Sequence, residues 1–413
     1  MKSKLTPLEK QWILYDVGNS AFTLLVTTIV PIYFNALATN AGISQENYLA
    51  YWGYAGSIST LLVALSGPII GTASDARGRK KTLFVMSIII GALGCLVMGL
   101  MQQWMIFLVI FIIAKVGYQI SLIIYDSMLG DITTEEHMDT VSSQGYAWGY
   151  IGSVIPFVMC LLLVLTTDYT GIPMSIAMLI SFIIVAIWWV VCSLPLIKSY
   201  RQKNYVEPGS HAFKNTFSRL WQTLKSMKEH KKILYFLLAF FFYIDGVYTI
   251  IDMATAYGSS LGLGSSSLLL ALLVTQIVAF PSAILIGRLA RSIPAEKIIT
   301  ICIAAYTGIA IYAAFMVTQF QFWTLAIAVG LFQGGIQALS RSYFAKIIPA
   351  EKSGEYFGIL DIVGKGASFL GTTVIGVVTQ VTSNQHIGVG AIAVFFVVGF
   401  FLFRKSVAQE SDF

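Results

Sequence analysis

Charge is what this 413-residue chain has least of: only 11% of its residues are Asp, Glu, Lys or Arg, where a soluble domain typically carries about 25%. So few charges cannot keep a globule of this size in water, which excludes an ordinary soluble domain. Cysteine is scarce as well. The four present, Cys95, Cys160, Cys192 and Cys302, fall inside long apolar stretches without paired spacing, so neither a disulfide framework nor a thiolate metal site is expected. The four histidines, His137, His211, His230 and His386, lie between the apolar stretches, which removes a histidine relay in the apolar interior. The phosphate loop G-x-x-x-x-G-K-[ST] and the motifs G-x-S-x-G and H-E-x-x-H are missing. The chain is therefore expected to have no ATP motor of its own, no cofactor, no metal and no enzymatic activity. A membrane-embedded enzyme would want a catalytic cluster on one membrane face, which Asp131, Glu135, Glu136 and Asp139 mimic only loosely.

Apolar residues fill the space that charge leaves, at 57% of the chain and a mean hydropathy of +0.78. At roughly 20 apolar residues per crossing, twelve helices are predicted: 12–37, 49–72, 82–101, 104–127, 141–165, 173–197, 232–257, 265–287, 297–317, 322–340, 354–380 and 386–404. The first is too long for a secretory signal, contains Asp16 and Pro31, and is expected to be retained. With the N-terminus in the cytoplasm, 24 of the 26 Lys and Arg fall in the N-terminal arm, the inner loops and the C-terminus, and none falls in an outer loop. That asymmetry predicts both termini inside. The net charge of +6 then reports topology and contact with an anionic inner leaflet, and no nucleic-acid partner is needed to explain it.

The longest polar stretch divides the chain into a six-helix bundle (1–197), a cytoplasmic linker (198–231) and a second six-helix bundle (232–413). In the linker Phe213, Phe217, Leu220, Leu224 and Met227 recur at helical spacing with Lys214, Arg219, Lys225 and Lys228 between them, as in an interfacial helix. The halves echo each other. GTASDARGRKK (71–81) after helix 2 matches GRLARSIPAEK (287–297) after helix 8 at an offset of 216, and Glu136 matches Glu351 at 215. Arg291 and Pro294 replace the acid and the glycine in the second copy, so a matching latch is not expected there. Asp16 and Asp245 form a weaker third pair.

G-x-x-x-D-x-x-G-R-K at 71–80 resembles the signature loop of the major facilitator superfamily. Further stretches narrow the resemblance: YDVGNSAF (15–22), IIYDSMLGDI (123–132), and GGIQALSRSYFAKIIP (334–349) running into SGEYFGILDIVGKGASFLG (353–371). They are similar to the vacuole-effluxer-like branch, related to the autophagy-associated amino-acid effluxers of fungal vacuoles, with Val17 and Gly18 departing from the usual helix 1 pattern. The resemblance implies an all-α membrane protein of twelve helices in two pseudo-symmetric bundles. It implies a gate in which Asp75 grips the start of helix 11, with Gly71 and Gly78 permitting close approach. Arg79, Lys80, Asp126 and Glu136 are expected to complete it, with Arg79 pairing with Asp126.

The resemblance also places helices 1, 4, 7 and 10 around a central cavity. Lys115 and Asp245, both near the midplane by depth, are expected to face each other there, since a charge at the bilayer centre costs roughly 3 kcal/mol or more and usually marks a pathway. A zwitterionic cargo could pair with Lys115 and with Asp245 or Asp252; mutual neutralisation is the alternative. Asn19, Tyr118, Gln119, Tyr248, Gln333 and Gln337 are the candidate hydrogen-bonding groups. Asp16, Asp245, Asp361 and Lys365 are the candidates for proton or sodium coupling, with Asp361 and Lys365, one helical turn apart, read as a charge switch linking gate to cavity. The expectation is a monomeric secondary transporter of a small polar solute, an amino acid among the options, in a bacterial plasma membrane. Export of another metabolite or drug-like compound and a non-transporting sensor on the same scaffold stay open.

Overall fold

The computed structural model describes residues 4–207, 220–263 and 265–410. Among them are twelve helices long and apolar enough to cross a membrane: α1 Pro7–Asn40, α2 Ala50–Ser74, α3 Arg79–Leu100, α4 Trp104–Ser127, α5 Glu135–Leu165, α6 Met174–Ser199, α7 Lys231–Ala254, α8 Leu270–Leu289, α9 Ala295–Ala314, α10 Gln319–Ile347, α11 Ala350–Thr382 and α12 Gln385–Val407. The count is the one the sequence predicts, but several helices outrun their apolar stretch. Helix α5 begins six residues earlier than expected and α10 ends seven later, so Asp139, Arg341 and Lys346 belong to helices and not to loops. These extensions contact the other half, where their charges find partners.

Local sequence explains the ends and irregularities. Thr6 caps α1 in a reciprocal capping box with Glu9, and Pro7 occupies the first turn, where its missing N–H costs nothing. Two residues before Pro31 the helix widens into a π-helical segment at Leu25–Ile29, because proline removes a donor and crowds the preceding turn. Gly78 turns the chain between α2 and α3 at φ 75°, a conformation that a side chain would strain.

Buried apolar residues form two clusters, one drawn from residues 12–200 and the other from residues 220–403 with Val63 and Ile123 added. Each half thus has its own core. The halves meet along α2 with α11, α5 with α8 and α10, and α4 with α11. Small residues bring the backbones together: a Cβ on Gly71 would strike the carbonyl of Gly354, one on Gly358 would meet Pro68, and one on Gly287 would meet Ser143. These contacts lie towards the end of the bundle that carries the turn at 75–78 and the connections 128–134, 290–294 and 348–352, called here the basic face.

Of the linker's expected amphipathic pattern, Phe213, Lys214, Phe217 and Arg219 lie outside the described residues, as does His211. Residues 220–226 are helical, with Leu220 and Met227 buried and Trp221 and Leu224 exposed. The start of the linker is strapped to the basic face. Asn204 donates its backbone and side-chain N–H groups to Asp131 Oδ1, each at 2.9 Å, and Tyr200 donates to Asp131 Oδ2. Burial and the Asp131 carboxylate hold the Tyr200 phenol well above its ordinary pKa, so it stays a donor.

Candidate functional site

The contact expected to act as a gate on the basic face starts from Asp75, the residue that caps the end of α2. Its Oδ1 accepts the N–H of Gly354 at 2.8 Å and its Oδ2 that of Glu355 at 2.9 Å, so one carboxylate satisfies two orphan donors at the start of α11 and meets the positive end of the helix dipole. Lys80 completes the grip from α3. Its Nζ lies 3.4 Å from Asp75, and it donates to Ser353 Oγ at 2.8 Å and to the Ser127 carbonyl at 3.4 Å. Both charges are fully buried. Burial raises the Asp75 pKa to about 6, with Lys80 and the two backbone N–H groups opposing the rise.

The rest of the expected gate is wired differently. Arg79 and Glu136 are exposed, and Asp126 does not pair with Arg79. It is taken by Arg341, which inserts from α10 and donates Nη1 to Asp126 Oδ1 at 2.9 Å. Arg341 also reaches Asp16 on α1 at 3.4 and 3.5 Å, and Ser142 on α5, whose hydroxyl and carbonyl each accept at 2.9 Å. Its guanidinium carbon lies 4.6 Å from the Trp12 ring centre and 4.4 Å from that of Tyr146. Further out, Lys346 pairs with Asp139 at 2.7 Å, and Ser342 donates to the same carboxylate at 2.6 Å. Asp139 therefore does the work expected of Glu136. The second repeat contributes too, since Arg291 Nε donates to Thr140 across the halves at 3.2 Å.

Above the gate the structure regroups the expected midplane residues. Asp245 does not face Lys115: it is fully buried, with Oδ1 accepting the Gly371 N–H at 3.1 Å and the Thr249 hydroxyl at 3.2 Å, inside the C-terminal half. The acid within electrostatic reach of Lys115 is Asp252, one side from each half, with Lys365 as the other charged neighbour. Asp252 is exposed, and Lys115, Tyr118, Gln119 and Tyr248 are half-buried. Tyr118 shares a 2.6 Å hydrogen bond with Thr23 of α1 and lies near Tyr248 of α7. Lys115, Tyr118 and Thr23 of the N-terminal half thus lie near Asp252 and Tyr248 of the C-terminal half, and the space between these groups is called here the cleft.

Other candidates are withdrawn from that cleft. Asn19 is buried and donates to Asp16 and to the Tyr15 carbonyl. Gln333 and Gln337 are buried, and Gln337 accepts from Tyr150 of the opposite half at 3.0 Å. Asp361 and Lys365 do form their pair, at 2.5 Å, with about a fifth of each side chain exposed. A pocket of about 260 Å³ opens on the basic face, lined by residues that include Asp131, Thr134, Lys346 and Ser353. It adjoins the contacts of Lys80 and Lys346, since Ser127, Ser353 and Lys346 belong to its lining, and that lining includes neither Lys115 nor Asp252. His386 sits in the first turn of α12, bonded to Tyr257 at 2.8 Å. No group of three or more metal-ligating side chains occurs among the described residues.

The family model described as vacuole effluxer Atg22 like matches residues 44–411. The chain belongs to that family, a branch of the major facilitator superfamily. It is 41% identical over 404 residues to the MFS-type transporter YxiO of Bacillus subtilis, covering 97% of this chain and 94% of that one. It is also 22% identical to autophagy-related protein 22 of Kluyveromyces lactis, over 84% of this chain and 76% of that one. Among solved structures it resembles the major facilitator transporter FucP in the outward conformation, with a TM-score of 0.73, 16% identity and 98% coverage of both chains. A bacterial homologue of ferroportin in the outward-facing state gives a TM-score of 0.71, 14% identity and coverage of 97% and 100%. The vacuole-effluxer chain is thus a multi-pass membrane transporter with the major facilitator fold.

Arg341 is the functional residue that reading the sequence missed. The predicted helix 10 stops at the first charge, which assigns Arg341 to a loop and to the positive-inside tally. The available signal was the run ALSRSYFAKI, which keeps helical propensity on both sides of the arginine and has no glycine or proline to end a helix.

Proposed function

We propose that this vacuole-effluxer family member is a secondary active transporter of a small zwitterion of the amino-acid type, working by alternating access. The observation that supports the reading is that Lys115 and Asp252, opposite charges contributed by opposite halves, lie within electrostatic reach of each other, near Tyr118, Thr23 and Tyr248. A carboxylate would pair with Lys115 and an ammonium with Asp252, each offsetting part of the other's desolvation cost. The name of the family, vacuole effluxer, agrees with a metabolite cargo. The basic face is taken as cytoplasmic under the positive-inside rule, and a bacterial plasma membrane fits the Bacillus relative. With that face shut, the state is outward-facing. Energy comes from a proton or sodium gradient, with Asp16, Asp245, Asp361 and Lys365 as the candidate coupling groups. Asp361, within electrostatic reach of Asp126 and Tyr248, and Lys365, within reach of Asp126, support a reading of the pair as a relay of charge between cleft and gate.

A thermal-shift screen of purified protein over amino acids, their amides and their N-acetyl derivatives tests the reading, since a ligand of the folded state stabilises by RT ln(1 + [L]/Kd). The free amino acid is expected to raise Tm more than either derivative, and Lys115→Ala to abolish the difference between acid and amide. A carboxylate ligand whose shift survives Lys115→Ala overturns the zwitterion reading.

A further inference from the structure

Arg341 has five N–H donors, and the structure gives each of them an acceptor: Nε goes to Ser142 Oγ, Nη1 to Asp126 and Asp16, and Nη2 to Asp16 and the Ser142 carbonyl. Every one of these acceptors belongs to the N-terminal half, while Arg341 belongs to the C-terminal half. The faces of the guanidinium are covered by Trp12 and Tyr146, also from the N-terminal half, with Tyr125 stacked on Trp12 behind them. The slot is complete without any other residue of the C-terminal half. It also carries two carboxylates against one guanidinium, an excess of one negative charge.

We propose that this slot, formed by Asp16, Asp126 and Ser142 under an aromatic cover, is a cation-binding site of the N-terminal half that Arg341 fills as a tethered cation while the basic face is shut. The proposal rests on the alternating-access reading, because opening that face must draw Arg341 out and break its five hydrogen bonds together. Two carboxylates then remain on α1 and α4 with no cationic partner from their own half, Asp16 keeping only the Asn19 amide, and a mobile cation takes the place of the guanidinium. Closure of the gate and occupation of the slot by a mobile cation exclude each other. A cation bound there holds the gate open until it leaves. Lysine could not replace Arg341, since a single ammonium offers three donors and no flat face.

The slot can be tested by chemical rescue in detergent, with no transport required, so failed transport and a failed slot are separate results. Arg341→Ala vacates the site. Guanidinium chloride at millimolar, non-denaturing concentration is expected to raise the Tm of Arg341→Ala saturably, by about 2–4 °C, to leave wild type unchanged, and to lose its effect in Arg341→Ala/Asp126→Asn. Absence of a saturable rise in Arg341→Ala overturns the proposal. Sodium and methylammonium chlorides, with choline chloride as the bulky control, identify the mobile cation. Rescue by guanidinium but by neither of the two would reduce the slot to a socket for Arg341 and overturn its role as a cation site. Nitroxides at Glu136→Cys and Glu351→Cys, exposed positions on the two halves, read the gate directly. Arg341→Ala is expected to add a longer distance, which guanidinium restores and which Arg341→Lys shows in part. Should Arg341→Ala fail to fold, Asp126→Asn carries the same readout, and an unchanged distance distribution in it refutes the pin.

Discussion

The two ends of the inter-half contact spend their charges differently. At the basic face, Lys80, Arg341 and Lys346 reach across from one half to carboxylates, hydroxyls or helix ends of the other. Midway along the bundle, Asp245 is satisfied by its own half, and Asp361 by Lys365 on its own helix. Bonds of the first kind must break when the halves part on that side, and bonds of the second kind survive the motion. On the proposed alternating-access reading, the contrast puts the conformational equilibrium at the basic face, where each half leaves polar groups for the other, and gives the midplane charges partners that do not change as the halves part.

The strongest blow to the comparison falls on the glycine contact beneath the gate. Gly71 and Gly354 bring α2 and α11 together backbone to backbone, so no rotamer change can make room for a side chain. Gly71→Val should prevent closure of the basic face and cost about 3 kcal/mol or more in this state. The expected signature is a single long distance between nitroxides at positions 136 and 351. A distribution like that of wild type would mean that the halves are not held by this contact, and the division between gate and cleft would lose its physical basis.

The Asp361–Lys365 pair sharpens the comparison from the other side. As a pair within one helix, in the favourable acid-then-base order, it should change gate distances little when broken. As a charge switch, Asp361→Asn and Lys365→Ala should each slow transport by about tenfold, equivalent to about 1.4 kcal/mol of barrier. The double variant should recover most of the loss by restoring neutrality. Stability coupling without any effect on flux would return the pair to a structural role.

How much of this was legible in the sequence follows from what each signal measures. Apolar run length is set by bilayer thickness, so twelve helices and their division into halves could be counted directly. The glycine and aspartate spacing of 71–80 carried the resemblance to the signature loop, and it was that resemblance that implied the grip on α11, where Asp75 accepts from Gly354 and Glu355. Partnership between charges was not legible. Depth along a helix put Asp245 and Lys115 at one level, yet at Asp245 the neighbour is α11, and only two turns further on, at Asp252, does α7 carry an exposed acid within reach of Lys115. Arg341 was hidden for a related reason: the eye ends a helix at a charge, whereas here the helix runs on until the other half neutralises it.

The smallest expected effect concerns the proton at the gate. Burial raises the Asp75 pKa from 3.8 to about 6, against the opposing pull of Lys80 and two backbone N–H groups. The closed state therefore holds that proton more tightly than the unfolded chain does. The sign follows: this contribution to stability is full below pH 3.8 and is lost as pH rises through about 6. The Tm of wild type minus that of Asp75→Asn should fall across this window and level off above it, with Arg77→Ala, which removes an exposed pair with Glu207, leaving the profile unchanged. Parallel curves for wild type and Asp75→Asn would show that water reaches Asp75 in the closed state, and the gate would then be held by Arg341 and Lys346 with the Asp75 grip as a solvated contact at its edge.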